Sequence, residues 1–197
     1  AIIESETASR LLSLSDARLQ EKLEWHPGWA WSAYGPIVRQ VLGLDVPLRA
    51  ANLSRQRIGE IVSANRAPSL PPDVARAQRQ ALIEGHCGML PESMLDGMLA
   101  AQVARDKAMA SALDALPSTS LLICGSGHAR RDIGVALHAE SAPLCLGLVE
   151  LKPGQEWRSA LVESVDEGPP FDLAWFTPPA AKREDPCAAL RERFAKD

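Results

Sequence analysis

Residues 121–134 of the chain read LLICGSGHARRDIG and restrict the fold more than any other stretch. An apolar run meets two glycines and a histidine, and a segment typical of a helix follows. This is how a strand passes into a helix at the edge of a parallel sheet, where α/β proteins usually place their ligands. The pattern predicts a strand over 119–124, a helix over 129–139, and His128 at the carboxyl edge of the sheet.

Further apolar runs alternate with helical periodicity along the rest of the chain. A continuous apolar strand is typical of a parallel sheet that is covered on both faces. We therefore predict a single α/β domain over residues 1–197, with a mostly parallel central sheet and helices on both faces. The predicted strands cover 45–53, 142–150 and 171–179. The predicted helices are one or two over 5–24, one from Pro36 to about Gly43, one from Ser54, one over 73–85 capped by Asp73, one over 91–116, one near 154–165, and a final charged helix.

Composition excludes several classes of partner. The chain is 46% hydrophobic and 23% charged, with a net charge of −4, which argues against nucleic acid or an anionic membrane surface as the main partner. No window of 18 apolar residues predicts a transmembrane helix, and no signal peptide or lipobox opens the chain. Since it begins Ala-Ile-Ile-Glu without Met, we expect a mature or trimmed protein.

Four cysteines stand far apart without a CxxC spacing, which argues against a structural zinc site. Cys124 and Cys145 lie in apolar runs, so buried free thiols are the plainest interpretation. A Cys145–Cys187 or a Cys87–Cys124 bridge is the alternative in an exported protein.

The segment CGSGHARRD matches none of the common glycine motifs. Arg130 replaces the third glycine of GxGxxG, and the glycine positions of GxSxG around Ser126 are Cys124 and His128. What remains is a tight turn that presents His128, with Arg130 and Arg131 beside a helix N-terminus that favours anionic groups. The alternative is a turn histidine that only caps the helix.

A second histidine, His86, lies in EGHCGMLP between two predicted helices, and all four methionines fall between 89 and 109. Core packing by flexible side chains is the simpler interpretation of these methionines. The other is that the helix 91–116 walls a pocket for a large, flat apolar ligand. Arg105 and Asp106 on this helix form either a surface ion pair or a buried, functional one.

The only tyrosine, Tyr34, lies within ten residues of Trp25, Trp29 and Trp31. A phenolate is a hard oxygen ligand that suits ferric iron, and tyrosine is one of the few side chains that ligate haem. The neighbouring tryptophans could supply a flat apolar wall. The alternative is an aromatic cluster that forms an ordinary hydrophobic surface.

Four segments, in this order and spacing, resemble the ChaN-like haem-binding lipoproteins. They are WSAYGPIV, AANLSR, EGHCGMLPESMLDGMLAAQVARDKAMA and LLICGSGHARRDIGV, and the tail FDLAWFTPPAAKREDPC is similar as well. The resemblance implies a fold related to erythromycin-esterase and TraB/Tiki-type proteins. It also implies a lipid-anchored or exported protein of the cell envelope that takes part in iron acquisition.

The family resemblance further implies a homodimer that sandwiches two stacked haems. Each iron would be held by one tyrosine, which here is Tyr34, and the propionates would be bound by side chains of the other subunit. His86, His128, Arg130 and Arg105 lie in the matched motifs and are the candidates for the polar pocket. The family usually carries an early Gly-Glu-x-His segment on its first strand. It is not present here, where AII is a candidate remnant strand.

Two further functions compete with haem binding. One is a hydrolase of the erythromycin-esterase or Tiki type, in which His128 and His86 act as a base or as metal ligands and Asp132 or Asp106 orients them. The other is an envelope interaction module with a vestigial pocket.

Overall fold

A computed structural model describes residues 2–3, 5–44, 46–116, 119–161, 165, 168–180, 185, 187–188 and 190–191. Helices and parallel strands share the fold and helices dominate, which confirms the predicted α/β class. The chain divides into two compact units, Ala1–Ala50 and Ala51–Asp197. The single-domain prediction stays a prediction. None of the helices described here is long and apolar enough to cross a bilayer.

The first unit is a three-helix layer with a short antiparallel ribbon. Leu19, Val38 and Leu42 lie in its core, and Arg39 joins its helices by donating to the carbonyls of Leu12 (3.2 Å) and Leu14 (2.9 Å). The ribbon pairs Ile2 with Arg49, so the two isoleucines of the AII segment do form a strand. The elements are β1 (Ile2–Ile3), α1 (Ser5–Leu12), α2 (Asp16–Lys22), α3 (Trp31–Gly43) and β2 (Leu48–Arg49).

The second unit is built around one long helix. This helix, α6 (Leu95–Asp114), packs against α4 (Arg55–Ala64) and α5 (Pro72–Gly85). Asn65 ties α4 to it by accepting a hydrogen bond from the Gly97 amide at 2.8 Å. Two parallel strands, β3 and β4, form the sheet of this unit. The elements are α4 (Arg55–Ala64), α5 (Pro72–Gly85), α6 (Leu95–Asp114), α7 (Ser126–Ala129), β3 (Leu146–Glu150) and β4 (Leu173–Thr177), with 3-10 turns at Glu92–Met94, Val135–Leu137 and Trp157–Ala160.

Several sequence-based boundaries were wrong for identifiable reasons. The α3 helix begins at Trp31 rather than Pro36, because the Trp31 ring packs against Gly35 and adds a turn ahead of the proline. Asp73 does not cap α5. The helix begins at Pro72, and Asp73 lies in its first turn, where a carboxylate still favours the helix dipole.

The region after α6 departs furthest from prediction. The strand predicted over 119–124 does not form, and no other segment of the described chain pairs with the backbone of residues 121–124. The helix predicted over 129–139 ends at Ala129, where the Arg130 guanidinium turns to Asp132 and the Arg131 amide donates to the Pro170 carbonyl at 2.9 Å. The helix predicted near 154–165 is a 3-10 turn, and the final charged helix falls largely outside the described residues.

The disulfide pairing differs from both predicted alternatives. Cys87 is bonded to Cys187, with a Cα–Cα distance of 5.9 Å, and so neither Cys145–Cys187 nor Cys87–Cys124 exists. Cys124 and Cys145 are free thiols, as the plainest interpretation had it.

Candidate functional site

Tyr34 lies on the first full turn of α3 and is packed among tryptophans. Its ring centroid is 4.6 Å from that of Trp29 and 6.4 Å from that of Trp25. The Trp25 ring also meets Trp31 edge to face at 5.1 Å. The aromatic cluster suggested by the sequence is therefore real, and it surrounds the tyrosine.

The loop before α3 folds these tryptophans back onto the helix. Trp25 donates from Nε1 to the Trp29 carbonyl at 2.7 Å, and the Gly28 amide donates to Nδ1 of His26 at 2.9 Å. Glu24 takes a left-handed φ of 49° ahead of the loop. The loop is closed by its own polar groups, so the aromatic rings are held in place around Tyr34.

The Tyr34 hydroxyl has no hydrogen-bond partner in the described part of the chain, and the side chain is only half-buried. Two apolar side chains beyond it on or just after the same helix, Ile37 and Leu44, are 41% and 65% exposed. A phenol oxygen next to aromatic and aliphatic surface fits a flat apolar ligand that carries a ferric ion. The residues at this position therefore fit haem.

His128, unlike Tyr34, is buried and its ring is hydrogen-bonded. Its side chain is buried on α7, and its Nδ1 lies 2.6 Å from Oδ1 of Asp106 on α6. The Gln102 amide nitrogen lies 3.0 Å from the same ring nitrogen. A neutral imidazole that donates from Nδ1 to a carboxylate keeps its lone pair on Nε2, so the arrangement orients His128 as a base.

Asp106 is fully buried, and its second oxygen, Oδ2, has no hydrogen-bond partner among the described residues. Burial raises the pKa of this carboxyl above its ordinary value, against the opposing effect of the hydrogen bond from His128. His138, whose Nε2 is likewise buried without a partner in the described chain, has a pKa lowered mainly by burial. The carboxylate thus interacts with two imidazoles.

The other three predicted site residues, His86, Arg105 and Arg130, are each bonded to another group of the protein. His86 ends α5, with its Nδ1 2.7 Å from the Leu82 carbonyl. Arg105 is half-buried and donates from Nε to Asn52 Oδ1 at 3.2 Å, and burial lowers the pKa of its guanidinium. Arg130 is buried against Asp132, with bonds of 2.9 and 2.6 Å.

The structure therefore joins some predicted residues and not others. Asp106, rather than Asp132, is the carboxylate that orients His128, and Arg105 does not pair with Asp106 as an ion pair. Gln102 and His138 were missed by sequence reasoning, although Gln102 precedes Asp106 by one helical turn and so shares its face. Within the described residues, no group of three or more His, Cys, Asp and Glu side chains is arranged to hold a metal ion.

Comparisons with known proteins identify the fold and the family of this chain. A solved structure described as "Cofacial heme binding to ChaN of Campylobacter jejuni" superimposes with a TM-score of 0.64 at 23% identity, over 73% of this chain. The match spans 60% of the length of that protein. No curated protein sequence matches significantly.

The sequence profile of one family covers most of the chain. It is described as haem-binding uptake, Tiki superfamily, ChaN, and it matches residues 5–138, which include both Tyr34 and His128. The chain belongs to this ChaN family of the Tiki superfamily.

Proposed function

We propose that this protein binds ferric haem through Tyr34, as a homodimer in the bacterial cell envelope, and takes part in haem or iron uptake or storage. The observation that carries the proposal is the Tyr34 hydroxyl, which has no described hydrogen-bond partner in an aromatic setting. Membership of a haem-binding family and the fold shared with a haem-binding relative support it.

The chemistry of the site favours a tyrosinate ligand. When bound, haem supplies the ferric iron whose Lewis acidity stabilises the phenolate. Trp29 and Trp25 hold the Tyr34 ring in place, and Ile37 offers apolar surface one turn further along α3. Burying this surface under a flat macrocycle contributes to affinity in proportion to the area removed from water.

The polar contacts to haem propionates stay at the level of prediction. Arg105, Arg130, His86 and His128 are the candidates, and the described contacts rank them. The Arg130 guanidinium is buried against Asp132, so a propionate would have to compete with the Asp132 carboxylate for this guanidinium. Arg105 donates to the neutral Asn52 and forms no described ion pair with a carboxylate, so of the two arginines its charge is the more available for a propionate.

The disulfide supports the proposed location. Cys87 and Cys187 are 100 residues apart, and such long-range bridges are typical of oxidising compartments such as the periplasm. Attachment to the membrane by a lipid anchor is part of the same proposal.

A titration with ferric haem, followed by absorbance and size exclusion, tests the proposal. We expect saturation near one haem per chain, a phenolate-to-iron charge-transfer band, and a shift to a dimer. Tyr34→Phe keeps the ring and removes only the oxygen, so it should lose the band and most of the affinity. His26 lies on the adjacent exposed loop, so His26→Gln is the matched control that tests whether this histidine, rather than Tyr34, ligates the iron. Haem binding that survives in Tyr34→Phe would overturn the ligand assignment.

One observation favours a second function, the hydrolase. The buried Asp106 carboxylate holds His128 as an aspartate holds the base of a catalytic pair. Hydrolysis of a chromogenic ester by the purified protein, abolished by His128→Asn and unchanged by Tyr34→Phe, would support it. Absence of turnover over a panel of esters, lactones and peptides would count against it.

A further inference from the structure

The first unit contains a polar network centred on Arg39. The guanidinium donates to Oδ1 of Asp16 from Nε at 2.9 Å and from Nη2 at 2.6 Å. It also donates to the carbonyls of Leu12 at 3.2 Å and Leu14 at 2.9 Å. Leu12 ends α1 and Asp16 opens α2. One side chain of α3 therefore fastens the corner between the first two helices, through the several donors that a guanidinium offers.

The Trp31 indole lies on the same face of α3 as Arg39. Trp31, Gly35 and Arg39 follow one another at intervals of four residues, which places them along one side of the helix. The indole covers Gly35, where an added Cβ would lie 2.6 Å from Cε2 and 2.7 Å from Nε1 of the ring. The Nε1 edge of Trp31 is thus on the side of the helix that carries Arg39 and its partner Asp16.

Asp16 interacts with Trp31 as well as with Arg39. Its pKa is lowered first by the hydrogen bonds from Arg39 and second by the one from the Trp31 side chain. An indole has a single donor, Nε1–H, so this group meets the carboxylate. A carboxylate that accepts from Nε1 fixes the rotation of the Trp31 ring, which apolar contact with Gly35 alone leaves adjustable.

Trp31 transmits this constraint to the proposed haem ligand. It meets Trp25 edge to face at 5.1 Å, and both rings pack against the core of the first unit. The Trp25 ring lies 6.4 Å from that of Tyr34, and its Nε1 holds the Trp29 carbonyl. The Trp29 ring lies 4.6 Å from that of Tyr34. The orientation of Tyr34 therefore depends on Trp25, and that of Trp25 depends on Trp31.

We propose that Asp16 is a positioning residue of the haem site, which acts through Trp31 and Trp25 to set the direction of the Tyr34 phenol. The inference rests on the proposed function, because it takes Tyr34 to be the iron ligand. Removing an outer group that orients a metal ligand typically lowers affinity about 10–100-fold. Two aromatic rings separate Asp16 from Tyr34, so we expect an effect at the lower end of that range.

A contribution to stability alone is the competing explanation for the Asp16 contacts. The side chains of Arg39 and Asp16 are 31% and 59% exposed, and ion pairs exposed to this degree stabilise a fold little. Asp16→Ala should therefore unfold in urea at nearly the wild-type midpoint, so that its effect on haem is measured in folded protein. Glu21→Ala is the matched control, since Glu21 forms an exposed ion pair with Arg18 on the same helix at 3.0 Å.

Titration with ferric haem, followed through the phenolate-to-iron charge-transfer band, tests the proposal. Asp16→Ala and Trp31→Phe should each weaken haem binding about tenfold and shift the band, whereas Glu21→Ala should do neither. Asp16→Asn keeps an acceptor oxygen for the indole and should retain the wild-type band. The double variant should match either single variant, because Asp16 acts through the Trp31 donor. An unshifted band with wild-type affinity in Asp16→Ala, or effects that add in the double variant, would overturn the proposal.

The haem-free protein provides a test that is independent of the iron ligand. With 5-fluorotryptophan at all five tryptophans, Asp16→Ala should shift the fluorine resonances of Trp31 and Trp25. Those of Trp157 and Trp175, which belong to the second unit, should stay unchanged. Such shifts in a chain whose wild type binds no haem would overturn the proposed function and still support the positioning of Tyr34. An unmoved Trp25 resonance would overturn the inference, whatever the haem titration gives.

Discussion

The aromatic cluster around Tyr34 and the buried pair of Asp106 and His128 use polar groups in opposite ways. The Tyr34 hydroxyl is half-buried and has no described partner, whereas the His128 Nδ1 is buried and bonded at 2.6 Å. An unpartnered polar group at a surface costs little and is free to bind a ligand. A polar group in the core gains far more from being paired, because leaving it unpaired costs about 1–3 kcal/mol. The difference teaches that motif residues of one family can leave a polar group available to a ligand in one place, as we propose for Tyr34, and use it for stability in another.

The largest expected effect is on haem binding through Tyr34. Tyr34→Phe should weaken haem binding roughly a hundredfold or more, about 2.7 kcal/mol, because the iron loses its oxygen ligand. The same variant should leave the free energy of unfolding almost unchanged, since the hydroxyl bonds to no described residue. Haem titration and urea unfolding measure the two effects. A clearly destabilised Tyr34→Phe protein would break the contrast with Asp106.

The next largest effect is on stability, through Asp106. Asp106→Ala should lower the free energy of unfolding by about 3 kcal/mol, because it leaves His128 without its buried partner. Asp106→Asn should cost less, since an amide oxygen still accepts from Nδ1. Asp96→Ala, on the same helix but in a partly exposed pair with Arg79, is the control and should cost under about 1 kcal/mol. If both aspartates cost the same, burial does not set the contribution of Asp106.

Gly35 should matter because the aromatic cluster rests on it. A Cβ at this position would lie 2.6 Å from the Trp31 ring, so Gly35→Ala should destabilise the fold by about 1–2 kcal/mol. Gly43→Ala, on the same helix with open space around it, is the matched control. Chemical denaturation of both variants provides the measurement, and a neutral Gly35→Ala would show that Trp31 moves freely.

A smaller effect concerns the pH dependence of stability. Burial holds the pKa of His138 below its ordinary 6.5, so the unfolded chain takes up a proton more readily and stability falls as the pH drops below about 6.5. The raised pKa of Asp106 acts in the opposite sense, because the folded state then binds the proton more readily and gains stability as the pH falls through that pKa. Urea unfolding between pH 5 and 8 should show a flatter acid side in His138→Gln.

His26→Gln, on an exposed loop, is the control in that series for the loss of an imidazole. A His138→Gln curve parallel to the wild type would show that His138 takes up its proton equally in both states.

The smallest effect is on thiol reactivity. Burial raises the pKa of Cys124 to about 11, so little thiolate exists at pH 8. Alkylation by iodoacetamide in the native state should be at least tenfold slower than after unfolding, as followed by mass spectrometry. Fast native alkylation of Cys124 would show that residues 121–124 open readily.

Local patterns in the sequence were enough to find most of the helices. Ser54 accepts from the Arg57 amide at 3.2 Å as the cap of α4, and the apolar spacing of 91–116 produced α6 at Leu95–Asp114. Such signals depend on residues one helical turn apart, so they survive without knowledge of the rest of the fold.

The candidate ligand site was also within reach of the sequence. Tyr34 is the only tyrosine and lies among three tryptophans, and no tertiary contact is needed to notice that. The pairing of His128 with Asp106 rather than Asp132 could not be read from spacing. Asp132 is nearer in sequence, yet Arg130 occupies it.

The sequence by itself therefore determined the fold class, most of the helices and the aromatic setting of Tyr34, because each depends on local periodicity or on residue type. Only the tertiary structure decided that Cys87 bonds to Cys187, that residues 121–125 form no strand, and that Asp106 orients His128. The physical reason is that a strand, a disulfide and a buried ion pair each require a partner from a distant part of the chain. The identity of that partner is set by packing.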